Sequence, residues 1–256
     1  MCDMKDSDAN IIEMRKEGRK DLIENDKRRL RDGEAAEYSF IPLDLPRLEV
    51  DLKLYLSMCN DPLDTYYARA FKYLRLRDLN GSGDKMSLTD LHINQDGWDW
   101  NDTAHSYFPD VASWCDEHLP MDNLTFVSLV SSVMHLGPHL DDFSINSSTN
   151  PCEPAHYRAL ISGPVGETMY ATRQWYSEDI PESLFHEKKY RFMELPEDTN
   201  SFVMNMRDSY HGSRFKGPKL VLLTTGFVNQ EKHEALIKRS VEKYPEYVIR
   251  VSELED

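Results

Sequence analysis

Residues 123–143 read NLTFVSLVSSVMHLGPHLDDF. The first half, Leu124–Met134, is rich in Val, Leu, Phe, Thr and Ser, the composition of a half-buried strand, and it runs into Gly137-Pro138. From here to about residue 230, segments of strand character alternate with clusters of Gly, Pro, Asn and Ser. The pattern predicts strands at Leu124–Met134, Tyr157–Ser162, Thr168–Tyr176, Tyr190–Glu194, Ser201–Met206 and Leu220–Val228. A helix is predicted at Glu231–Lys243, and a short last strand or extended tail at Tyr247–Val251. Short strands separated by turn residues point to an antiparallel sandwich or barrel. The expected fold class is therefore mainly β with flanking helices, α+β in kind, around a core spanning about 120–230.

Upstream of that stretch the texture is helical. Residues 109–118 predict a short helix, and Pro62–Leu79 predicts an amphipathic helix through Tyr66, Ala70, Phe71, Leu74 and Leu76. Asn80-Gly81-Ser82-Gly83 is a turn without a phosphate-loop pattern. Tyr38–Leu45 is a short apolar segment. Trp98, Trp100, Tyr107 and Phe108 form an aromatic cluster, read first as packing of the helical layer on the sheet and second as a lid or substrate wall. Residues 1–36 are dominated by Glu, Lys, Arg and Asp with sparse apolar positions, and are expected to form a charged helical arm, in part disordered. Residues 37–256 are expected to form a single catalytic domain.

Composition narrows the function. Apolar residues are 40% of the chain and charged residues 29%, enough for a sizeable core in a soluble globular protein. The net charge of −15 leaves no basic face for nucleic acid. The densest basic stretch, Arg15–Arg31, is interleaved with acidic residues and reads as a solvated face. Four scattered cysteines, Cys2, Cys59, Cys115 and Cys152, form no CxxC pair, which argues against a zinc knuckle or a disulfide framework. The opening MCDMKDSDAN is too polar for a signal peptide, and no apolar run is long enough to span a bilayer. The expectation is a cytoplasmic protein, in which the sequons at Asn101, Asn123 and Asn146 carry no meaning.

The chemistry is concentrated in two segments, MHLGPHLDDF (134–143) and NMRDSYHGSRFKGPKLVLLTTG (205–226). In extended backbone, residues i and i+2 point to one side, so His139 and Asp141 can offer an imidazole and a carboxylate to one metal. His211, placed at the end of a predicted strand, supplies a second imidazole. Two histidines and one carboxylate on one face of a metal leave three positions open, as non-haem Fe(II) oxygenases require. His-x-Asp alone is a weak signal, since nine His and 45 acidic residues give roughly one or two such matches by chance. The strand before it, the distal His and the basic Lys219 opening an apolar strand add the specificity. Asp142 rivals Asp141 but has the wrong parity. His135 rivals His139 without a carboxylate two residues on. His156, in PAHYRALI, rivals His211.

This pattern resembles the Fe(II)/2-oxoglutarate-dependent dioxygenase superfamily. Within it, the chain is most similar to the aspartyl/asparaginyl β-hydroxylase and proline hydroxylase branch. The resemblance covers about 125–228 and none of the first 120 residues. It implies a double-stranded β-helix core, jelly-roll or cupin-like in form, with Fe(II) held by His139, Asp141 and His211. It implies 2-oxoglutarate as cosubstrate and O₂ as oxidant, with oxidative decarboxylation coupled to hydroxylation of a C–H bond. Lys219 matches the basic position that grips the far carboxylate of 2-oxoglutarate, where many members of the branch have Arg. Arg214 is an alternative planar grip, and Arg158 resembles the arginine that comes after the metal motif. Halogenating relatives lack the carboxylate ligand, so Asp141 implies hydroxylation.

Arg173, Arg207 and Asn205 are weaker candidates for substrate contact. The expected substrate is a small polar molecule of amino-acid type, with a peptide or protein substrate as a second version of the same chemistry. No nucleic acid or membrane partner is expected, and a homodimer remains open. The alternative of a different class is a cupin-like isomerase or non-redox metal module without 2-oxoglutarate, to which His135 and His139 would contribute.

Overall fold

The computed structural model describes residues 37–58, 71–79, 98–132, 136–139, 156–164, 166, 168–172, 190–205, 209–214 and 217–254. All belong to the unit Ala36–Asp256. The expected N-terminal arm lies outside them.

In chain order the elements are β1 (Tyr38–Pro42), α1 (Leu52–Met58), β2 (Phe71–Leu79), β3 (Trp98–Trp100), α2 (Asp102–Tyr107) and α3 (Pro109–His118). Next come the strands β4 (Met121–Ser132), β5 (Leu136–His139), β6 (His156–Ser162), β7 (Met169–Thr172), β8 (Tyr190–Phe192), β9 (Ser201–Met204), β10 (Tyr210–Ser213) and β11 (Lys219–Val228). Helix α4 (Gln230–Lys243), β12 (Ile249–Arg250) and a 3-10 turn at Val251–Glu253 close the described chain. The protein is thus mostly antiparallel sheet with a few helices.

Two sheets form. The larger has strand order β12-β1-β9-β6-β11-β4-β2-β3, and the smaller β5-β10-β7-β8. From β4 to β11 the chain passes back and forth between them, staying in the small sheet only for the β7–β8 pair. Each face of the large sheet has its own apolar cluster. Val127 and Leu129 of β4, Tyr157 and Ala159 of β6, Val203 of β9 and Leu220 and Leu222 of β11 pack with Trp114 and Cys115 of α3 and Leu236 of α4. The alternate residues of the same strands, Leu160, Phe202 and Met204, join Phe40 of β1, Ala171 of β7 and Met193. Period-two alternation puts one set toward the helices and the other toward the small sheet.

The outer face also carries a buried polar pair. The Tyr157 hydroxyl hydrogen-bonds Nδ1 of His233 on α4, with the two rings edge to face at 6.0 Å. Asn229 starts α4 by accepting from the Lys232 N–H at 3.0 Å, which satisfies an orphan donor of the first turn.

Several expectations are corrected. Residues 71–79 of the predicted helix form β2, paired with both β4 and β3. Leu74 and Leu76 alternate with Arg75 and Arg77, and this period-two signal prevails over the helical spacing. Helices α1 and α2 and strands β1, β3, β5 and β10 are additions to the predicted elements. His211 lies inside its own strand, β10, rather than at the end of Ser201–Met206. The last strand is two residues long and gives way to the 3-10 turn. In the aromatic cluster, Trp100 and Phe108 are buried in the helix-side core, as packing requires, whereas Tyr107 is 51% exposed. Among the described residues no helix is long and apolar enough to cross a membrane.

Candidate active site

The small sheet brings two of the candidate ligands together. In the β10–β5 pair, His211 is directly opposite His139. Directly opposed residues of an antiparallel pair lie on the same sheet face with Cβ atoms about 4.5–5.5 Å apart. On its other side β10 pairs with β7, placing His211 opposite Ala171 and Ser213 opposite Met169. Ala171 is buried in the inner cluster and Met169 packs against it. Positions 211 and 213 therefore face the large sheet. His211 is buried at 5% exposure.

His156 takes a different place. It begins β6 in the large sheet, opposite Met204 of β9, and is no strand neighbour of His139. Of the two rivals for the distal ligand, only His211 shares a strand pair with the first. Asp141, Asp142, His135, Arg173 and Arg207 lie outside the described residues. Among those described, no three His, Cys, Asp or Glu side chains gather at metal-binding spacing.

Lys219 begins β11 opposite Ser132 of β4. It shares parity with Val221, which packs on the inner cluster, and not with Leu220 and Leu222, which pack on the helix side. Its side chain thus enters the space between the sheets, and it is 5% exposed. Burial alone pushes its ammonium down to about 8. Among the described residues no carboxylate forms an ion pair with it. Desolvating a buried cation is costly, and an anion entering the same space would offset that cost.

This has a measurable consequence. The unfolded lysine titrates near its ordinary value, about 10.4. Between about pH 8 and that value the unfolded chain binds more protons than the folded one, so stability rises with pH across this window. Below pH 8 the full cost of burying the charge is present. Chemical denaturation at pH 7.5 and 9.5 is expected to show a gain that is absent from Lys219→Met. Equal pH dependence in the two proteins would show that the ammonium is not desolvated.

The other two cationic candidates separate. Arg158 of β6 lies opposite Phe202 of β9 and Leu223 of β11, on the inner face with Leu160. Leu223 is four residues beyond Lys219, so roughly 13 Å of strand lies between the two cations. Arg214 comes directly after β10, half-buried, with its backbone N–H donating to the Thr168 carbonyl at 2.7 Å. Asn205, just past β9, is buried, and its N–H donates to the Ser39 carbonyl at 2.9 Å. The start of β10 is held from outside: Ser209 and Ser39 share a buried hydroxyl–hydroxyl hydrogen bond of 2.6 Å. Sequence reasoning misses Ser39, Ser209 and Gly163, whose roles depend on contacts between distant segments.

No family profile matches the sequence, and no curated protein matches it. A solved oxidoreductase of the 2OG-Fe(II) oxygenase family from Burkholderia pseudomallei is similar over 68% of this chain and 79% of that one, at 7% identity and a TM-score of 0.35.

Proposed function

We propose that this chain is an Fe(II)- and 2-oxoglutarate-dependent oxygenase that hydroxylates a small polar substrate of amino-acid type. The observation that carries the reading is the His139–His211 register in the small sheet, together with the burial of Lys219 on the face of the large sheet that meets it. The back-and-forth strand order of β4–β11 fits a double-stranded β-helix.

Two of the three candidate ligands, His139 and His211, lie opposite each other in one strand pair, which supports the metal reading. His139 and His211 would hold it, with Asp141 as the third ligand on i+2 geometry from His139. Iron bound on one face by such a set supplies open positions for a chelating 2-oxo acid and O₂, and with them oxidative decarboxylation coupled to C–H hydroxylation. The protein's part is to bind, orient and exclude water. Lys219 would donate to the far carboxylate of 2-oxoglutarate, and its pairing would hold the ammonium protonated at neutral pH. Phe202, Met204, Leu160 and Ala171 would give the apolar wall that limits water. Arg158, on the inner face but far along the strand from Lys219, is assigned to the substrate carboxylate, and Arg214 to a supporting position outside the grip.

The test is spectroscopic. Fe(II) and then 2-oxoglutarate are added to the protein without oxygen. A visible absorption band that requires both additions and is lost in His211→Ala is expected. Folded protein that binds the metal but develops no band on adding 2-oxoglutarate would overturn the reading in favour of a metal module without this cosubstrate.

A further inference from the structure

Gly163 lies just past β6 with φ +122°, a conformation that L side chains rarely adopt. A Cβ there would lie 2.8 Å from Lys219 Cγ, 2.8 Å from the Pro218 carbonyl oxygen and 2.9 Å from Lys219 Cα. Two of these three atoms are backbone, so a methyl group could be accommodated only by moving the start of β11. The cause of the close approach lies in the strand pairing. Val221 is opposite Leu160, but the next partner of β11 is Leu220 opposite Ser162, which leaves Ile161 as an extra residue. A one-residue bulge bends its strand and re-aims the residues beyond it, and here it brings Gly163 against Lys219.

We infer that Gly163 is a positioning residue for the anion site: its missing side chain lets the β6–β7 corner clamp the root and stem of Lys219, and so sets where the ammonium meets a carboxylate. The surroundings make the clamp firm. Thr168 donates its hydroxyl to the Pro164 carbonyl at 3.3 Å, and its own carbonyl accepts from the Arg214 N–H. The corner is therefore tied to the end of β10, the strand that carries His211. A shift of the anchor by a few tenths of an ångström to one ångström would move the ammonium away from the carboxylate it is to meet, and a misplacement of about 1 Å can cost on the order of 100-fold in rate.

This inference rests on the reading of Lys219 as the 2-oxoglutarate anchor, and the experiment separates the two. Binding of 2-oxoglutarate and of Mn(II) is measured by calorimetry in the wild type, Gly163→Ala, Gly217→Ala, Lys219→Ala and the double variant Gly163→Ala/Lys219→Ala, with Mn(II) present for the 2-oxoglutarate titrations. Gly217 is the control: its φ is +143°, but a Cβ there would meet only Pro164 side-chain atoms at 3.7 and 3.8 Å. Gly163→Ala is expected to weaken 2-oxoglutarate at least tenfold with Mn(II) affinity unchanged, while Gly217→Ala, with a similar backbone strain but no contact with Lys219, weakens it less than threefold. In the Lys219→Ala background the Gly163 substitution is expected to cost less than twofold.

Equal 2-oxoglutarate affinity in Gly163→Ala and wild type, or equal losses with and without Lys219, would overturn the positioning role. A wild type that binds Mn(II) but not 2-oxoglutarate would instead overturn the anchor reading beneath it. Should Gly163→Ala not fold, hydrogen exchange on the wild type decides. Slowing by 2-oxoglutarate at residues 163–168 together with 219–221 supports the clamp, and slowing at 219–221 alone overturns it.

Discussion

Lys219→Met is expected to bind 2-oxoglutarate at least about 30-fold more weakly than the parent and yet to unfold at a higher temperature. Both effects have one cause. Methionine keeps an unbranched stem of similar length and removes the charge that burial pushes down to about 8. The ligand-free protein then no longer carries a desolvated ammonium, and replacing buried charge by an apolar group of similar volume commonly gains about 1–3 kcal/mol. For a domain of this size that is a rise of about 2–12 °C in Tm. The ligand, however, would bury its carboxylate without a partner, which costs about 2–5 kcal/mol. Scanning calorimetry and ligand titration on the same preparations check both. A variant that loses stability as well as affinity would show that Lys219 contributes to folding through contacts of its own.

Phe202→Ala is expected to destabilise the protein by about 3–5 kcal/mol. Phe202 is completely buried at the middle of β9 and packs its ring on Phe40 at a centroid distance of 5.5 Å. It also lies opposite Arg158, so its loss would open a cavity beside the face assigned to substrate. Denaturant unfolding is expected to place the midpoint well below that of the parent, with Tm lower by about 6–20 °C. A cost under 1 kcal/mol would mean that this face collapses readily and is not the rigid wall argued for it.

The strands with strong local signals are legible in the sequence. β6 and β11 are runs of apolar and β-branched residues bounded by Gly-Pro corners, and the predicted bounds of both agree with the structure to within a residue. The weak elements are not legible. β5 and β10 have four residues each and include His, Gly, Pro and Ser, so they carry no period that a window can detect. The two candidate histidines lie on these two strands, and their register cannot be read from spacing. β2 is read as the end of a helix because Phe71, Leu74 and Leu76 continue a helical spacing that starts at Tyr66 in the sequence, although the Leu–Arg alternation within it favours a strand. Lys219 is visible as a basic residue opening an apolar run. That its charge is buried and meets no carboxylate among the described residues depends on which face of β11 is inner, a property of the packed sheets.

The hydroxyl pair of Ser39 and Ser209 bears on how far the eight strands from Met121 to Val228 constitute a unit. Ser209 immediately precedes β10, and Ser39 comes from the first strand of the large sheet. Phe40 lies beside Ser39 in the inner cluster, and Ile41 lies in the helix-side one. A fragment starting at β4 would lose a partner of the strand that bears His211 and would leave apolar holes on both faces of the large sheet. The part of the chain that holds the candidate chemistry is therefore not a transplantable module: its fidelity depends on a strand that lies early in the sequence and carries none of the reacting groups.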